Sequence, residues 1–269
     1  AAANTAIAMA GTGEKKKHTK APIHSDRITW ASFKDFIKRR RNYKILIGCA
    51  GAWFFQDMAY YSQSLFTPDI LTNIGFNPSI STSSTGADMA QKAYKTCVGN
   101  AIISLCGTVP GYYPVIFLIN RMGRKTIQIM GFSVMITVLM IMAAAYPQLL
   151  PSAHNAASVN GTPWAYMLLF SVMFFFANFG PNTTEFIIPG ELFPTKFRST
   201  CHGIASACGK TGAVVGTFGF GWMVIGAKNN LSNQYPMDTV DHAMQLSVGL
   251  LSIMCFFGLM LTLLVPETT

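Results

Sequence analysis

Long apolar segments alternate with shorter polar ones along most of this chain. Each apolar segment has about 20 residues or more, which is enough to cross a bilayer as a helix. They lie at 44–68, 95–119, 127–147, 164–188, 200–225 and 244–265. Because a helix satisfies its own backbone hydrogen bonds inside the bilayer core, the pattern predicts an all-α integral membrane protein with six transmembrane helices.

The composition supports this prediction and its charge distribution sets an orientation. Of the 269 residues, 51% are hydrophobic and only 12% are charged, whereas soluble domains carry about 25% charged residues. Of the 20 Lys and Arg residues, 16 lie in the N-terminal segment and in alternate connections, against 3 in the remaining connections. By the positive-inside rule both termini are expected in the cytoplasm. The net charge of +9 therefore indicates membrane topology, and nucleic acid is not expected as a partner.

Three regions are predicted along the chain. Residues 1–28 are rich in Ala, Gly, Thr and Lys, which is typical of a flexible linker, here a cytoplasmic one. In residues 29–43 apolar side chains recur at helical spacing among basic ones, which favours an interfacial amphipathic segment next to the lipid bilayer. Residues 44–269 are expected to form the six-helix transmembrane bundle.

Charged residues inside the predicted spans need an explanation, because each costs about 2.5–3.5 kcal/mol near the bilayer centre. They are Asp57, Glu185 and Lys210. Asp57 lies about 20 Å along the first span and Lys210 about 15 Å along the fifth, at 1.5 Å per residue. We expect these two opposite charges to meet near the midplane. A static ion pair that only joins two helices is the alternative interpretation.

Polar residues repeat at helical spacing around these charges. Trp53, Asp57 and Tyr61 are four residues apart and therefore share one face of a helix. Small residues in the fifth span, among them Gly209 and Gly212, allow close packing that would hold Lys210 in place. A second polar stripe lies in the fourth span beside the helix-bending pair at 180–181, and consists of Asn178, Asn182 and Glu185. Such stripes indicate a polar cavity and a binding site.

Several sequence strings resemble a known family. They are WFFQDMAYYSQSLF (53–66), GRK (123–125), FFFANFGPNTTEF (174–186), PGELFPTKFRSTCHGIASACGKTGA (189–213) and PET (266–268). The strings resemble, in order, those of the proton-coupled inorganic phosphate symporters of plants and fungi, which belong to the major facilitator superfamily. The resemblance implies the last six helices of a twelve-helix fold. The N-terminal six-helix half of the same transporter is then an expected partner.

The resemblance also implies residue roles. The phosphate pocket would include four residues of this chain, Trp53, Asp57, Tyr61 and Asn182. Asp57 would couple proton binding to transport, with Lys210 as its charge partner. No cofactor and no metal site are expected, and the chain carries no motif of an enzyme.

At the cytoplasmic side the resemblance implies that Arg124 and Glu191 make charge contacts that help to hold one gate closed. The chain departs from the family pattern at two positions. Asn120 replaces the usual aspartate before the GR motif, which weakens the expected gate contact. Glu185 replaces a usual threonine. It can titrate, pair with Lys210 or reach the cytoplasmic mouth, and we expect the last of these.

The resemblance implies symport of inorganic phosphate and protons by alternating access, in the plasma membrane. Two alternatives stay open. A sugar porter of the same superfamily shares the topology and the loop motifs, although charges at the midplane count against a hexose site. A receptor-like membrane protein that senses phosphate without net transport would also bind the anion.

Overall fold

The computed structural model describes residues 29–73, 76–77, 85–146, 163–231 and 238–267. Within these ranges the regular structure is helical and contains no strand. The all-α prediction is therefore confirmed for the described part of the chain. The predicted linker, residues 1–28, lies outside the described residues.

The helices of the described residues range from 9 to 37 residues in length. In chain order they are α1 (Trp30–Lys38), α2 (Arg40–Asn73), α3 (Gly86–Ile103), α4 (Val109–Met122), α5 (Arg124–Ala144), α6 (Pro163–Phe179), α7 (Pro181–Leu192), α8 (Thr195–Leu231) and α9 (Asp238–Thr262). A five-residue π-helical turn, Ser104–Thr108, joins α3 to α4. The connection predicted between the fourth and fifth spans is helical except around residues 193–194. Hydropathy marks where a helix leaves the apolar layer. It does not mark where the backbone hydrogen bonds of that helix end.

In the described residues, four stretches are long and apolar enough to cross a membrane: Gly86–Met122, Arg124–Ala144, Ala165–Leu192 and Met244–Thr262. The first and fifth predicted spans correspond to α2 and α8, which have 34 and 37 residues. Both helices exceed the length that a bilayer requires, about 20 residues. They are less apolar because α2 carries several polar side chains and α8 carries many glycines and several basic residues.

Helix α2 packs closely against α8 and α9, and glycines on α8 permit the first of these contacts. A Cβ atom on Gly209 would lie 2.5 Å from Cδ1 of Trp53, and one on Gly212 would overlap the carbonyl oxygen of Phe54. The backbones therefore approach each other at a distance that a larger residue would not allow. This confirms the close packing predicted from the small residues of the fifth span, and it fixes the register of α2 against α8.

The fourth predicted span is interrupted between α6 and α7. Pro181 begins α7 and has no N–H to continue the α6 hydrogen-bond ladder, while the N–H of Gly180 still donates to the carbonyl of Phe176 at 2.9 Å. A Cβ atom on Gly180 would lie 2.6 Å from the Cα atom of Gly131, so α5 crosses close to the break. The break therefore lies between Asn178 and Asn182, the two amides of the second polar stripe.

One end of the bundle brings together α1, the α4–α5 turn, the α7–α8 junction and residues 265–267. We call it the Arg124 end. Phe36 of α1 stacks on Phe197 of α8, with ring centroids 4.6 Å apart, and Phe33 is buried beside them. The amphipathic segment predicted at 29–43 therefore contains helix α1, which packs on the bundle, and the first residues of α2.

Candidate functional site

An ion pair between Asp57 and Lys210 joins α2 to α8. The Nζ atom of Lys210 lies 3.1 Å from Oδ2 of Asp57, and the side chains are 60% and 3% exposed, respectively. The structure thus confirms the predicted contact between these two opposite charges. The carboxylate is enclosed while its cation is largely accessible, so the pair presents a positive group to its surroundings.

Tyr61 lies one helical turn after Asp57 and completes the environment of the lysine. The Lys210 ammonium donates a hydrogen bond to the Tyr61 hydroxyl at 3.0 Å. The same nitrogen lies 4.7 Å from the centroid of the Tyr61 ring, within cation–π range. The Asp57 carboxylate and the Tyr61 side chain therefore hold the Lys210 ammonium at the edge of the bundle.

Trp53, one turn before Asp57, is buried like Asp57, whereas Tyr61 is exposed. Its ring packs against that of His202 with centroids 5.5 Å apart and against Phe186 at 6.5 Å. Gly209 of α8 lies directly against the indole. The stripe Trp53, Asp57 and Tyr61 therefore faces α8, with Trp53 packed on α7 as well.

Asn182 belongs to a second polar group on α6 and α7. Its Nδ2 donates to Oδ1 of Asn178 at 2.7 Å across the helix break. The phenol of Tyr112 in α4 lies near the Asn182 side chain and interacts electrostatically with Tyr61. Tyr112 thereby links the Asn182 group to the Lys210 group, and the sequence-predicted residues of the two stripes belong to one polar cluster.

Sequence analysis did not select Tyr112, because no spacing rule connects a tyrosine of one span to amides about 70 residues away. One local signal was present. Gly111 precedes it, and a Cβ atom there would lie 2.6 Å from the carbonyl oxygen of Phe175. This glycine lets α4 approach α6 closely enough for Tyr112 to reach the amide group.

The polar cluster is open at the surface of the described bundle. Tyr61 is 39% exposed and Tyr112 is 43% exposed. Two apolar cavities in the described part of the chain lie elsewhere. One, of about 560 Å³, lies between α1 and the start of α2, and the other, of about 310 Å³, lies between α6 and the segment around Cys106. The polar cluster therefore lies on an open face of the bundle and outside both apolar cavities.

The predicted gate residues contact each other at the Arg124 end. The Arg124 guanidinium donates to Oε1 of Glu191 at 2.9 Å and 3.2 Å, and to the carbonyl of Ile119 at 3.3 Å. The side chains of the pair are 17% and 36% exposed. This ion pair joins the α4–α5 turn to the end of α7 in the conformation described.

Glu267 makes a further charged contact at the Arg124 end. Its carboxylate accepts hydrogen bonds from the backbone N–H of Lys125 at 3.1 Å and from the Thr126 hydroxyl at 3.4 Å. Gly123 has φ +87°, and a Cβ atom there would lie 2.8 Å from the carboxyl carbon. The PET motif therefore places a carboxylate at the positive N-terminus of α5, a role that sequence analysis did not assign.

The expectation that Glu185 reaches the cytoplasmic mouth is wrong. Glu185 is 2% exposed, and neither carboxyl oxygen has a hydrogen-bond partner among the described residues. It does not pair with Lys210, whose ammonium donates to Asp57 and Tyr61. Because Glu185 follows Asn182 by three residues, it shares the inward face of α7 and points into the bundle.

The polar cluster combines several donors with one enclosed acceptor. The Lys210 ammonium, the Tyr61 and Tyr112 phenols and the Asn182 amide can donate hydrogen bonds to an oxyanion. The Asp57 carboxylate can accept a proton or the acidic hydrogen of a ligand. A protonation change at Asp57 would release Lys210 for a bound anion, because the same ammonium serves both partners.

Comparison with known proteins identifies the family. The model of the family described as "Sugar (and other) transporter" matches residues 5–269. The chain is 41% identical over 254 residues to the probable inorganic phosphate transporter 1-6 of Arabidopsis thaliana, an alignment that covers 94% of the chain and 43% of the relative. It is 36% identical over 241 residues to inorganic phosphate transporter 1-2 of Oryza sativa subsp. japonica, covering 89% and 42%.

A third relative, the low affinity inorganic phosphate transporter 1 of Petunia hybrida, is 39% identical over 236 residues, covering 87% of the chain and 41% of the relative. The chain spans less than half the length of these curated relatives. The family match extends over nearly all of the chain, and the apolar helices agree with a membrane transporter. The chain therefore belongs to the sugar (and other) transporter family, within the major facilitator superfamily.

Proposed function

We propose that this chain forms the C-terminal six-helix half of a twelve-helix transporter of inorganic phosphate. The relatives carry the name of phosphate transporters, and the chain covers 41–43% of the length of the three described above. The order of its motifs agrees with the second half of the phosphate symporter family. The N-terminal half would supply the opposite wall of the open polar cluster.

In this proposal α2 and α8 cross the membrane together with the four more apolar stretches. Polar side chains on a transmembrane helix are tolerated where the helix lines a protein interior or a water-filled path. Asp57 and Lys210 compensate each other's charge at the contact between these two helices. Their lower hydropathy is therefore expected of helices that line the substrate pathway.

The observation that carries the proposal is the position of Lys210. Its ammonium contacts Asp57 and Tyr61, while 60% of the side chain is exposed on the open face. An incoming phosphate would take hydrogen bonds from Lys210, Tyr61 and Asn182, and a rotation of the indole would bring in Trp53. Charge-assisted hydrogen bonds of this kind are about twice as strong as neutral ones.

Asp57 gives this site a means to select phosphate. At neutral pH phosphate carries a P–OH group that donates a hydrogen bond to a carboxylate, whereas sulfate has no such donor. A site with an enclosed acceptor rejects an anion that leaves that acceptor unpaired. An ionised Asp57 also repels the anion, so proton binding at Asp57 favours phosphate binding, and by linkage phosphate favours proton binding.

Transport would proceed by alternating access of the two halves around the site. The outward-open protein binds a proton and phosphate, the halves rock, and both ligands leave on the opposite side. The Arg124–Glu191 ion pair would hold the α4–α5 turn against α7 in one of these states and break in the other. Proton coupling through Asp57 and Lys210 makes the transport a symport.

The proposed orientation places the Arg124 end in the cytoplasm of a cell whose plasma membrane holds the protein. The α4–α5 turn and the α7–α8 junction, two connections that the sequence marks as basic, both lie at this end. Residues 1–28 would be a cytoplasmic linker and residues 29–43 an interfacial segment. The remaining residues, 44–269, would form the six-helix bundle.

The test is uptake of labelled phosphate and labelled glucose by the complete transporter in vesicles with an imposed pH gradient. We expect phosphate uptake that an inward proton gradient stimulates. Asp57→Asn should retain phosphate binding and lose pH-driven accumulation. Asp35→Asn, an exposed carboxylate on α1, is the matched control and should behave like the wild type.

Three results would contradict the proposal. Uptake of glucose in place of phosphate would identify a sugar porter. Phosphate binding without flux would favour a sensor. An unchanged pH dependence in Asp57→Asn would remove Asp57 from proton coupling and leave phosphate transport to be explained by other residues.

A further inference from the structure

Glu185 is an acidic residue that the described bundle encloses completely and that the proposed transport cycle does not use. Its residue exposure is 2%. Both carboxyl oxygens are buried without a hydrogen-bond partner among the described residues. This bundle already buries the Glu185 side chain. In this conformation a basic residue from another part of the transporter therefore has no access to the carboxyl and cannot neutralise a charge on it.

The side chains that interact electrostatically with Glu185 are a carboxyl and two thiols. The Glu185 carboxyl interacts electrostatically with Asp57 and Cys49 of α2 and with Cys255 of α9. Asp57 already has a cation partner in Lys210. On α5 the charged groups are confined to the first turn at the Arg124 end, and α6 carries no charged residue. Other titratable groups near this part of α7 are His202 of α8, whose ring packs on that of Phe186, and Cys201 of α8, which interacts electrostatically with Cys49.

A neutral amide lies on the same side of α2. Gln56 follows Cys49 by seven residues, so the two share one face of the helix. Gln56 is fully buried, and neither its amide nitrogen nor its amide oxygen has a partner among the described residues. Gln56 therefore presents a buried donor and acceptor on the helix face that includes Cys49, a neighbour of Glu185.

The protonation state of Glu185 follows from the cost of burial. An ionised carboxylate without a partner costs several kcal/mol or more in a protein interior, even after relaxation, whereas an unpaired neutral polar group costs about 1–3 kcal/mol. Ionisation of Glu185 would also place a second negative charge near Asp57. Both effects favour the neutral acid.

We propose that Glu185 is a second proton-binding site of this bundle, loaded in the conformation described and distinct from the Asp57–Lys210 pair. The role in transport rests on the proposed function, while proton binding itself does not. Glu185 lies one turn beyond Asn182 toward the Arg124 end, and about 10 Å before the end of α7 at 1.5 Å per residue. It therefore lies between the polar cluster and the proposed cytoplasmic side.

This position couples the two acids. When Asp57 is ionised, its charge opposes ionisation of Glu185, and when Asp57 takes up a proton that opposition disappears. Opening of the Arg124 end in the transport cycle would admit water to α7 and let Glu185 release its proton there. Each cycle would then move one proton through Glu185 in addition to the one that Asp57 carries.

Proton binding is tested by infrared spectroscopy of the intact protein in lipid at neutral pH. A protonated carboxylic acid has a C=O stretching band that an ionised carboxylate lacks. We expect such a band in the wild type, its loss in Glu185→Gln, and its retention in Asp35→Asn, which alters an exposed carboxyl on α1. A spectrum in which Glu185→Gln removes only a carboxylate band would overturn the proposal.

A second variant tests whether the bundle still folds when Glu185 is replaced by an uncharged residue. Glu185→Met has similar volume and no charge, and a neutral residue should be accepted at a site that holds a neutral acid. Both variants should therefore assemble as well as the wild type. If both fail to fold while the wild type folds, the carboxylate charge is needed and the proposal is wrong.

The transport role is tested by measuring proton and phosphate uptake together in vesicles. Glu185→Gln should lose one proton per phosphate while phosphate binding stays at the wild-type level, and Asp35→Asn, at an exposed carboxylate on α1, should keep the wild-type ratio. An unchanged ratio in Glu185→Gln would overturn the coupling. If the wild type takes up no phosphate, the proposed function fails, and the infrared experiment still decides whether Glu185 binds a proton.

Discussion

Two ion pairs join distant parts of this chain, and their surroundings give them different properties. In the central pair the Asp57 side chain is 3% exposed and that of Lys210 is 60% exposed. In the pair at the Arg124 end, the Arg124 and Glu191 side chains are 17% and 36% exposed. The central pair encloses its anion and presents its cation, whereas the other pair leaves both groups within reach of water.

The comparison shows how the same chemistry supports different tasks. The Lys210 ammonium contacts only side-chain atoms in the bonds described above, and these can exchange for a ligand without disturbing a helix. Arg124 also donates to the Ile119 carbonyl at 3.3 Å, and Glu267 accepts the N–H of Lys125 at 3.1 Å. The pair at the Arg124 end is therefore tied to helix termini, as suits a contact that joins helices.

The largest effect is expected from removing the cation of the central pair. Lys210→Met leaves the enclosed Asp57 carboxylate without its partner and takes away the charged donor for the anion. Truncation of one partner in such a pair costs about 2–5 kcal/mol, and the lower end, about 30-fold in phosphate uptake, applies because Lys210 is largely exposed. Lys196→Met, at an exposed lysine near the start of α8, should stay near the wild type. Equal losses in both variants would contradict a special role for Lys210.

A change in packing should separate the central pair without altering any charge. Gly212→Leu forces α2 and α8 apart at the Phe54 carbonyl, and overpacking of this kind costs about 1–3 kcal/mol. Gly219→Leu, on the same helix where an added Cβ atom meets no neighbour within 4 Å, is the matched control. Thermal unfolding of the purified protein measures the difference. Similar unfolding temperatures would show that the α2–α8 contact tolerates a larger side chain.

The pair at the Arg124 end should give a smaller and salt-sensitive coupling. A double-mutant cycle of Arg124→Ala and Glu191→Ala should show about 1 kcal/mol or less, as is typical of partly exposed pairs. The coupling should fall when salt rises from 0.1 M to 1 M, because the Debye length shrinks from about 10 Å to about 3 Å. A cycle between Asp57 and Lys210 should keep its coupling energy in high salt. Loss of both coupling energies in high salt would contradict the difference between the two ion pairs.

The smallest effect is expected from Glu267. Glu267→Gln keeps the shape of the side chain and removes the charge near the N-terminus of α5, which should cost about 0.3–1 kcal/mol. Thermal unfolding of the variant in low salt measures this change. A Gly123→Ala variant offers an internal comparison, since its φ of +87° adds backbone strain and should cost more. A larger loss for Glu267→Gln than for Gly123→Ala would indicate that the carboxylate has a further partner in the transporter.

Much of the site was predictable because helix geometry is local. Residues four apart share a face whatever the rest of the fold does, so Trp53, Asp57 and Tyr61 could be grouped from their spacing. The depth of Asp57 and Lys210 followed from counting residues into their spans. The contribution of Tyr112 could not be predicted, because it depends on a close approach of α4 to α6 at Gly111.

The sequence by itself determined the all-α class, the apolar segments and the polar stripes, since these depend on periods of 3.6 residues and on the thickness of a bilayer. Only the tertiary structure decided which atoms meet across more than a hundred residues. The rotation of α7 about its axis encloses Glu185, and the glycines of α8 bring Lys210 to Asp57. A helix can present the same stripe inward or outward, and the packing of its neighbours selects between the two.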